Sequence, residues 1–192
     1  MYLNRNNQLE IISLFKGNYD ARFYLREISK LSTIPLKTCQ NILALLEKEK
    51  VLKSKIEGKN KYFSLNLENI KTKLYLQKAE IYQTELFIEK YPQFKMFLKS
   101  LNITAQIIVF GSFAKFTADK DSDLDLLVIS RKKLKLPFHL LPVKQHEINM
   151  TEKTFLKAID QQENLIKEIE ENHVILNNHS FYVNIMWGYC ER

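Results

Sequence analysis

A Gly-Ser turn and an Asp-x-Asp pair, each adjoining an apolar run, constrain this chain more than anything else in it. Ile107-Ile108-Val109-Phe110 leads into Gly111-Ser112-Phe113-Ala114-Lys115, and Asp121-Ser122-Asp123-Leu124-Asp125 leads into Leu126-Leu127-Val128-Ile129. A short continuous apolar run bounded by turn signals is the pattern of a buried strand. Gly111 has no Cβ to obstruct a close backbone approach. Ser112 is expected to cap a helix, whose free amides attract phosphate while Lys115, one turn in, adds a full charge. Residues two apart on a strand share a face, with Cα atoms about 6.6–7 Å apart. Asp123 and Asp125 are therefore expected to project together, as a pair that can share hard cations.

Each half also has a plainer reading. Asp-Ser-Asp at a strand start is common turn chemistry, and Gly-Ser before a helix is a common cap. The two halves together, with Asp123 eleven positions after Ser112, make the combination specific.

The paired motif resembles that of the DNA polymerase β-like nucleotidyltransferase superfamily, and within it the minimal nucleotidyltransferases, a group that includes antitoxin partners of HEPN toxins. The resemblance covers roughly residues 101–192. It implies that a metal-bound nucleoside triphosphate is attacked by a hydroxyl and that pyrophosphate leaves. Asp123 and Asp125 would be catalytic metal ligands, and Gly111, Ser112 and Lys115 would hold the phosphates. Mg²⁺ or Mn²⁺ is the implied ion, and ATP or another nucleoside triphosphate the implied substrate. Two positions depart from the family pattern. Phe116 stands where a glycine is usual. A third carboxylate on a later strand is best matched by Glu147, in Val143-Lys144-Gln145-His146-Glu147-Ile148-Asn149-Met150. Glu147 is expected to face the site as a metal ligand, or to help deprotonate the attacking hydroxyl, with Ile148 and Met150 turned to the core.

Charge divides the chain. Its net +7 is uneven: residues 1–68 hold 12 basic and 7 acidic side chains, 69–100 hold 6 and 3, and 101–192 hold 11 and 12. The positive balance lies outside the acidic motif, so the basic part is expected to meet a polyanion. Hydrophobic content of 45% with 27% charged residues is that of a globular protein. No apolar run has the length to cross a bilayer, and residues 1–5 lack a secretory core, so no membrane partner is expected. Cys39 and Cys190 have no zinc-site spacing, consistent with a reducing cytoplasm. His139, His146, His173 and His179 are scattered and read as ordinary surface or core residues.

In the amino-terminal part, helical periodicity over 8–15, 23–31 and 37–50 is followed by strand-like Val51–Ile56 and Lys61–Leu65 around Glu57-Gly58-Lys59-Asn60, a hairpin signal. Three helices and a hairpin in this order resemble a winged helix-turn-helix domain of the transcription-regulator type, over about residues 1–67. By that resemblance Lys37, Gln40 and Asn41 lie on a recognition helix and could reach a DNA major groove. Lys53, Lys55, Lys59 and Lys61 would line the wing and meet phosphates. Winged helices also serve as dimerisation or docking modules.

Residues 68–100 are expected to be a helical connector broken near Pro92, with an exposed aromatic edge that would suit a homodimer seam. Residues 101–192 are expected to form the minimal nucleotidyltransferase domain, in which 151–172 is one helix and His173–Leu176 a strand. The fold class is α+β: a winged helix-turn-helix domain, a connector, and a small mixed sheet flanked by helices. The expected activity is Mg²⁺-dependent transfer of a nucleotidyl group, AMP from ATP, to a hydroxyl of a protein, RNA or small molecule. A HEPN-type toxin or another protein acceptor is an expected partner. The rival is a DNA-binding transcriptional regulator whose second domain is a nucleotide sensor or an inactive partner-binding module.

Overall fold

The structure, a computed structural model, describes residues 6–190. The reading of residues 1–5 as lacking a secretory core lies outside them. The chain packs as two compact units. One runs up to Ala79 and takes in the chain from Met186; the other is Glu80–Ile185. Among the described residues, no helix is long and apolar enough to cross a membrane.

The first unit holds α1 (Asn7–Ser13), β1 (Phe23–Tyr24), α2 (Leu25–Ser32), α3 (Leu36–Lys48), β2 (Leu52–Glu57) and β3 (Asn60–Leu65). Asn6 starts α1 by accepting the Leu9 N–H at 3.2 Å. Thr33, at φ 56°, ends α2, and Pro35 precedes α3, where a missing N–H leaves no helical bond unmade. Ile11, Ile12, Phe15, Ile28, Cys39, Leu43 and Leu46 are buried, the stripes that helical periodicity requires. β2 and β3 pair antiparallel from Leu52↔Leu65 to Glu57↔Asn60. Gly58 supplies the left-handed φ of 61° that so short a hairpin turn needs.

The expected helix over 23–31 is corrected at its start. Phe23 and Tyr24 pair with Phe63 and Tyr62, making a three-stranded sheet of order β1-β3-β2. Phe23 packs edge-on against Phe15 with centroids 5.1 Å apart, and Tyr24 against Tyr62 at 5.9 Å. Cross-strand aromatic contacts and ladder hydrogen bonds override a helical pattern that only local spacing supports.

α4 (Ile70–Lys90) stops before Pro92, as expected, and α5 (Phe94–Lys99) follows. The second unit is built on a four-stranded mixed sheet of order β6-β5-β4-β7, from β4 (Gln106–Phe110), β5 (Leu124–Ile129), β6 (Gln145–Met150) and β7 (Val174–Asn177). β4 pairs antiparallel with β5 and β7, and β5 pairs parallel with β6. β4 and β5 are buried on both faces except at Asp125. Ile107, Val109, Leu124, Leu126 and Val128 share one core with Phe87, Phe94, Phe97 and Phe113. The opposite face carries Ile108, Leu127 and Ile129, which are buried as well.

α6 (Gly111–Ala114) is a single turn after β4, and α9 (His179–Cys190) closes the described chain. The single helix expected over 151–172 is two, α7 (Glu152–Asp160) and α8 (Asn164–Glu171). Gln162 takes φ 51°, its N–H reaches the Ile159 carbonyl and the Glu163 N–H that of Ala158. That is a Schellman stop, which glycine usually provides and here a glutamine does.

Candidate functional site

The site forms where β4 ends and β5 begins, at the pair Phe110↔Asp125. Asp123 immediately precedes β5 and Asp125 lies within it, so strand alternation sends both carboxylates to one face. Their side chains are 47% and 29% exposed. Gly111 takes φ 68°, and a Cβ added to it would lie 2.4 Å from Asp125 Oδ2. The glycine is thus required twice, for its backbone angle and for the room it leaves the carboxylate.

Ser112 is half-buried and Lys115 exposed. Ser112, expected as the N-cap, is instead the second residue of α6. Phe110, with extended backbone, occupies the cap position. The turn closes with a Schellman pair, Phe116 N–H to the Phe113 carbonyl and Thr117 N–H to that of Ser112. Phe116 is the left-handed residue at φ 58°. Its ring stacks on Tyr91 at 6.3 Å and meets Phe87 edge-on at 6.5 Å, and its carbonyl accepts from Lys90 Nζ at 2.7 Å. The departure from glycine therefore keeps the backbone shape that glycine would have, held by aromatic packing.

The turn chemistry that could have explained the aspartates falls to their neighbours. Asp119 accepts from the Ser122 hydroxyl at 2.9 Å and the Asp121 N–H at 3.0 Å. These bonds, the hydroxyl first, hold its carboxyl below the usual range. Asp123 and Asp125 take no part in that turn and face side chains at the start of β6 and just before it. Asp123 Oδ2 lies 3.4 Å from Lys144 Nζ, and Asp125 Oδ1 lies 3.2 Å from His146 Nδ1.

The β5–β6 register decides the third carboxylate. Asp125 pairs with His146 and Leu126 with Glu147, so Glu147 points to the face of Leu126, away from the aspartates. It accepts from Asn149 Nδ2 at 2.7 Å on that face. The expected role of Glu147 as a ligand is corrected. His146, read above as ordinary, holds the place beside Asp125. The signal was on β5 itself, where Asp125 shares parity with the core residues Leu127 and Ile129. The same rule on β6 places His146 with Ile148 and Met150.

Two carboxylates on an open face, beside a turn without a Cβ, suit one hard divalent ion that also takes phosphate oxygens. Among the described residues, no group of three His, Cys, Asp or Glu side chains is arranged to hold a metal.

In the first unit, Lys37, Gln40 and Asn41 are exposed on α3, and Lys37 Nζ approaches Gln40 Oε1 at 3.5 Å. The wing lysines divide between two sheet faces. Lys53 and Lys55 pair with Ser64 and Tyr62, whereas Lys61 pairs with Ile56 on the other face. Lys61 is tied to Glu47 of α3 at 2.7 Å and Lys55 to Glu57 at 3.2 Å. Glu57 also binds Arg22. Lys53 and Lys59 have no ion pair among the described residues. A cleft of about 1040 Å³, lined by Gln40, Ala44, Glu47, Lys59, Lys61 and Tyr62 among others, runs between α3 and the hairpin.

The family model described as "Nucleotidyltransferase domain" matches residues 92–180, a stretch that contains the Gly-Ser turn, both aspartates and β6. No curated protein and no solved structure matches the chain.

Proposed function

We propose that the stretch similar to nucleotidyltransferase domains makes this chain an enzyme that moves a nucleotidyl group, AMP from ATP, onto a hydroxyl. The observation that carries this reading is the shared exposed face of Asp123 and Asp125 against the Cβ-free turn at Gly111. Asp123 and Asp125 would hold Mg²⁺ or Mn²⁺, which when bound neutralises triphosphate charge and polarises the phosphorus under attack. Gly111 lets the phosphates approach the main chain, and Ser112 and Lys115 supply a hydroxyl and a charge to them. Lys144 and His146, which lie against the carboxylates, are placed to pass to the phosphate oxygens. The protein's own contribution is alignment and charge stabilisation.

The amino-terminal unit is proposed to act as a winged helix on DNA, with α3 as the reading helix and Lys53 and Lys59 as phosphate contacts. An antitoxin that modifies a HEPN-type toxin and represses its own promoter would use both units.

Incubation with α-labelled ATP, Mg²⁺ and a cell extract tests the transferase reading. Label is expected on an acceptor with the natural chain, and none with Asp123→Ala or Asp125→Ala; labelling that survives both changes overturns it. A second reading is favoured by one observation: among the described residues two carboxylates face the site, each beside a basic side chain. On that reading the unit binds nucleotide without turnover, and the chain is a DNA-binding regulator. Nucleotide binding without label transfer, together with a steep loss of DNA affinity on adding salt, is its signature.

A further inference from the structure

A second cavity lies at the other end of the same sheet. β4 begins and β5 ends there, at the pair Gln106↔Ile129. Ile129 lies four strand steps from Asp125, about 13 Å along the chain. The cavity has a volume of about 750 Å³, within the range of small-molecule sites.

Gln106, 1% exposed, lines it. Among the described residues, neither its amide nitrogen nor its amide oxygen has a hydrogen-bond partner. Buried polar groups are nearly always paired, and an unpaired one calls for a physical reason. A rotation of the side chain toward the cavity gives up no hydrogen bond, because the amide makes none. Arg131 and Lys132 stand at the rim, exposed and without an ion pair among the described residues. Glu152 is the one carboxylate of the lining among the described residues, so the charge balance there is positive. Phe181 adds an aromatic face.

The rim is itself tied down. Asn177 Nδ2 donates to the carbonyls of Ile103 and Ala105 at 3.0 and 2.7 Å. Asn178 Nδ2 donates to that of Thr104 at 3.2 Å, and the Ser130 hydroxyl donates to the Lys132 carbonyl.

We propose that this cavity is a second, metal-independent nucleotide site that takes a nucleoside monophosphate of the adenine type. A primary amide offers a donor and an acceptor side by side, which matches the adjacent donor and acceptor on the edge of adenine. The guanidinium and ammonium meet the phosphate, and the Phe181 ring covers the base. The lining has no carboxylate pair to hold a divalent ion. A ligand here is too far from Asp125 to react and acts as an effector.

Equilibrium dialysis of labelled AMP against the full chain in excess EDTA tests this, because chelation leaves the aspartate pair without a bridging ion. One AMP per chain is expected. Arg131→Ala and Gln106→Leu should each weaken binding about tenfold or more, and Asp125→Asn should leave it unchanged. Gln106→Leu replaces an unpaired amide by an apolar group of similar volume, so its folding is checked by thermal unfolding, where the free protein should melt no lower than the natural one. No binding at millimolar AMP overturns the proposal. So does binding that survives Arg131→Ala, or binding that Asp125→Asn abolishes, which would place the ligand at the aspartates. The transferase reading stands or falls separately, on labelling in Mg²⁺.

Discussion

Gly111 and Asp125 meet so closely that a methyl group on the glycine would lie 2.4 Å from the carboxylate oxygen. The contact locks the turn after β4 to the start of β5. Gly111→Ala must move either the turn or the carboxylate, and it also puts a side chain at φ 68°. We expect Gly111→Ala to lower label transfer about a hundredfold or more, the usual cost of displacing a reacting group by about an ångström. Single-turnover kinetics against Asp125→Asn measures it; activity within a few-fold of the natural chain would show that the turn does not position the carboxylate.

Glu147 and His146 give opposite expectations. Glu147 faces away from the aspartates, so Glu147→Gln keeps the Asn149 contact and should leave kcat within about threefold. His146→Ala removes the group beside Asp125 and should change kcat/KM by tenfold or more. Measuring both side by side checks the register: strong loss in Glu147→Gln with none in His146→Ala would contradict it.

Phe116 exchanges backbone ease for ring packing. Phe116→Ala keeps the left-handed φ and loses the Tyr91 and Phe87 contacts, at a cost of about 2 kcal/mol. Phe116→Gly loses the same ring but relieves the angle, recovering about 1 kcal/mol. Urea unfolding should therefore rank the glycine variant above the alanine variant. The reverse order would mean that the turn carries no strain.

His179 sets a pH dependence. Burial pushes its pKa down, while the Glu80 charge and the Ile175 backbone raise it by less. Nε2 lies 2.9 Å from the Thr84 hydroxyl. A histidine depressed in the folded state binds its proton more readily when unfolded. Its contribution is therefore full above the unfolded value of about 6.5 and is lost as pH falls through the folded value. Urea midpoints should drop more between about pH 7.5 and pH 5 for the natural chain than for His179→Gln. Equal drops would remove His179 as a cause.

Glu80 and His173 form a buried pair at 2.9 Å, both side chains 0% exposed. His173 Nδ1 lies 2.6 Å from the Ile169 carbonyl; a carbonyl only accepts, so Nδ1 carries the hydrogen. Glu80→Ala removes the carboxylate from Nε2 in a fully buried setting and should cost about 1–3 kcal/mol, the penalty of a lost buried hydrogen-bond partner, read by chemical denaturation. Glu80→Gln, which can still hydrogen-bond, should cost clearly less.

Much of this arrangement was legible because it is local. The apolar runs of β4 and β5, the break at Pro92, the hairpin at Gly58 and the spacing of the Gly-Ser turn from the aspartates depend on residues a few positions apart. The breaks that were missed share a cause. Phe116 and Gln162 both end helices in left-handed conformations, and a chain with four glycines does not announce such stops. Phe23 and Tyr24 have helical spacing, but only the hairpin some forty residues on makes them a strand.

What the amino-acid order determined alone was the parity of Asp123 with Asp125, the Cβ-free position at Gly111 and the segregation of positive charge toward the amino-terminal part. What only tertiary structure decided was which residue of β6 stands beside Asp125, and that Gln106 lies buried and unpaired at the far end of the sheet. The reason is register. Parity along one strand is written into the chain, but a shift of one residue between two strands exchanges their faces, and pairing distant segments is a choice made by the packed sheet.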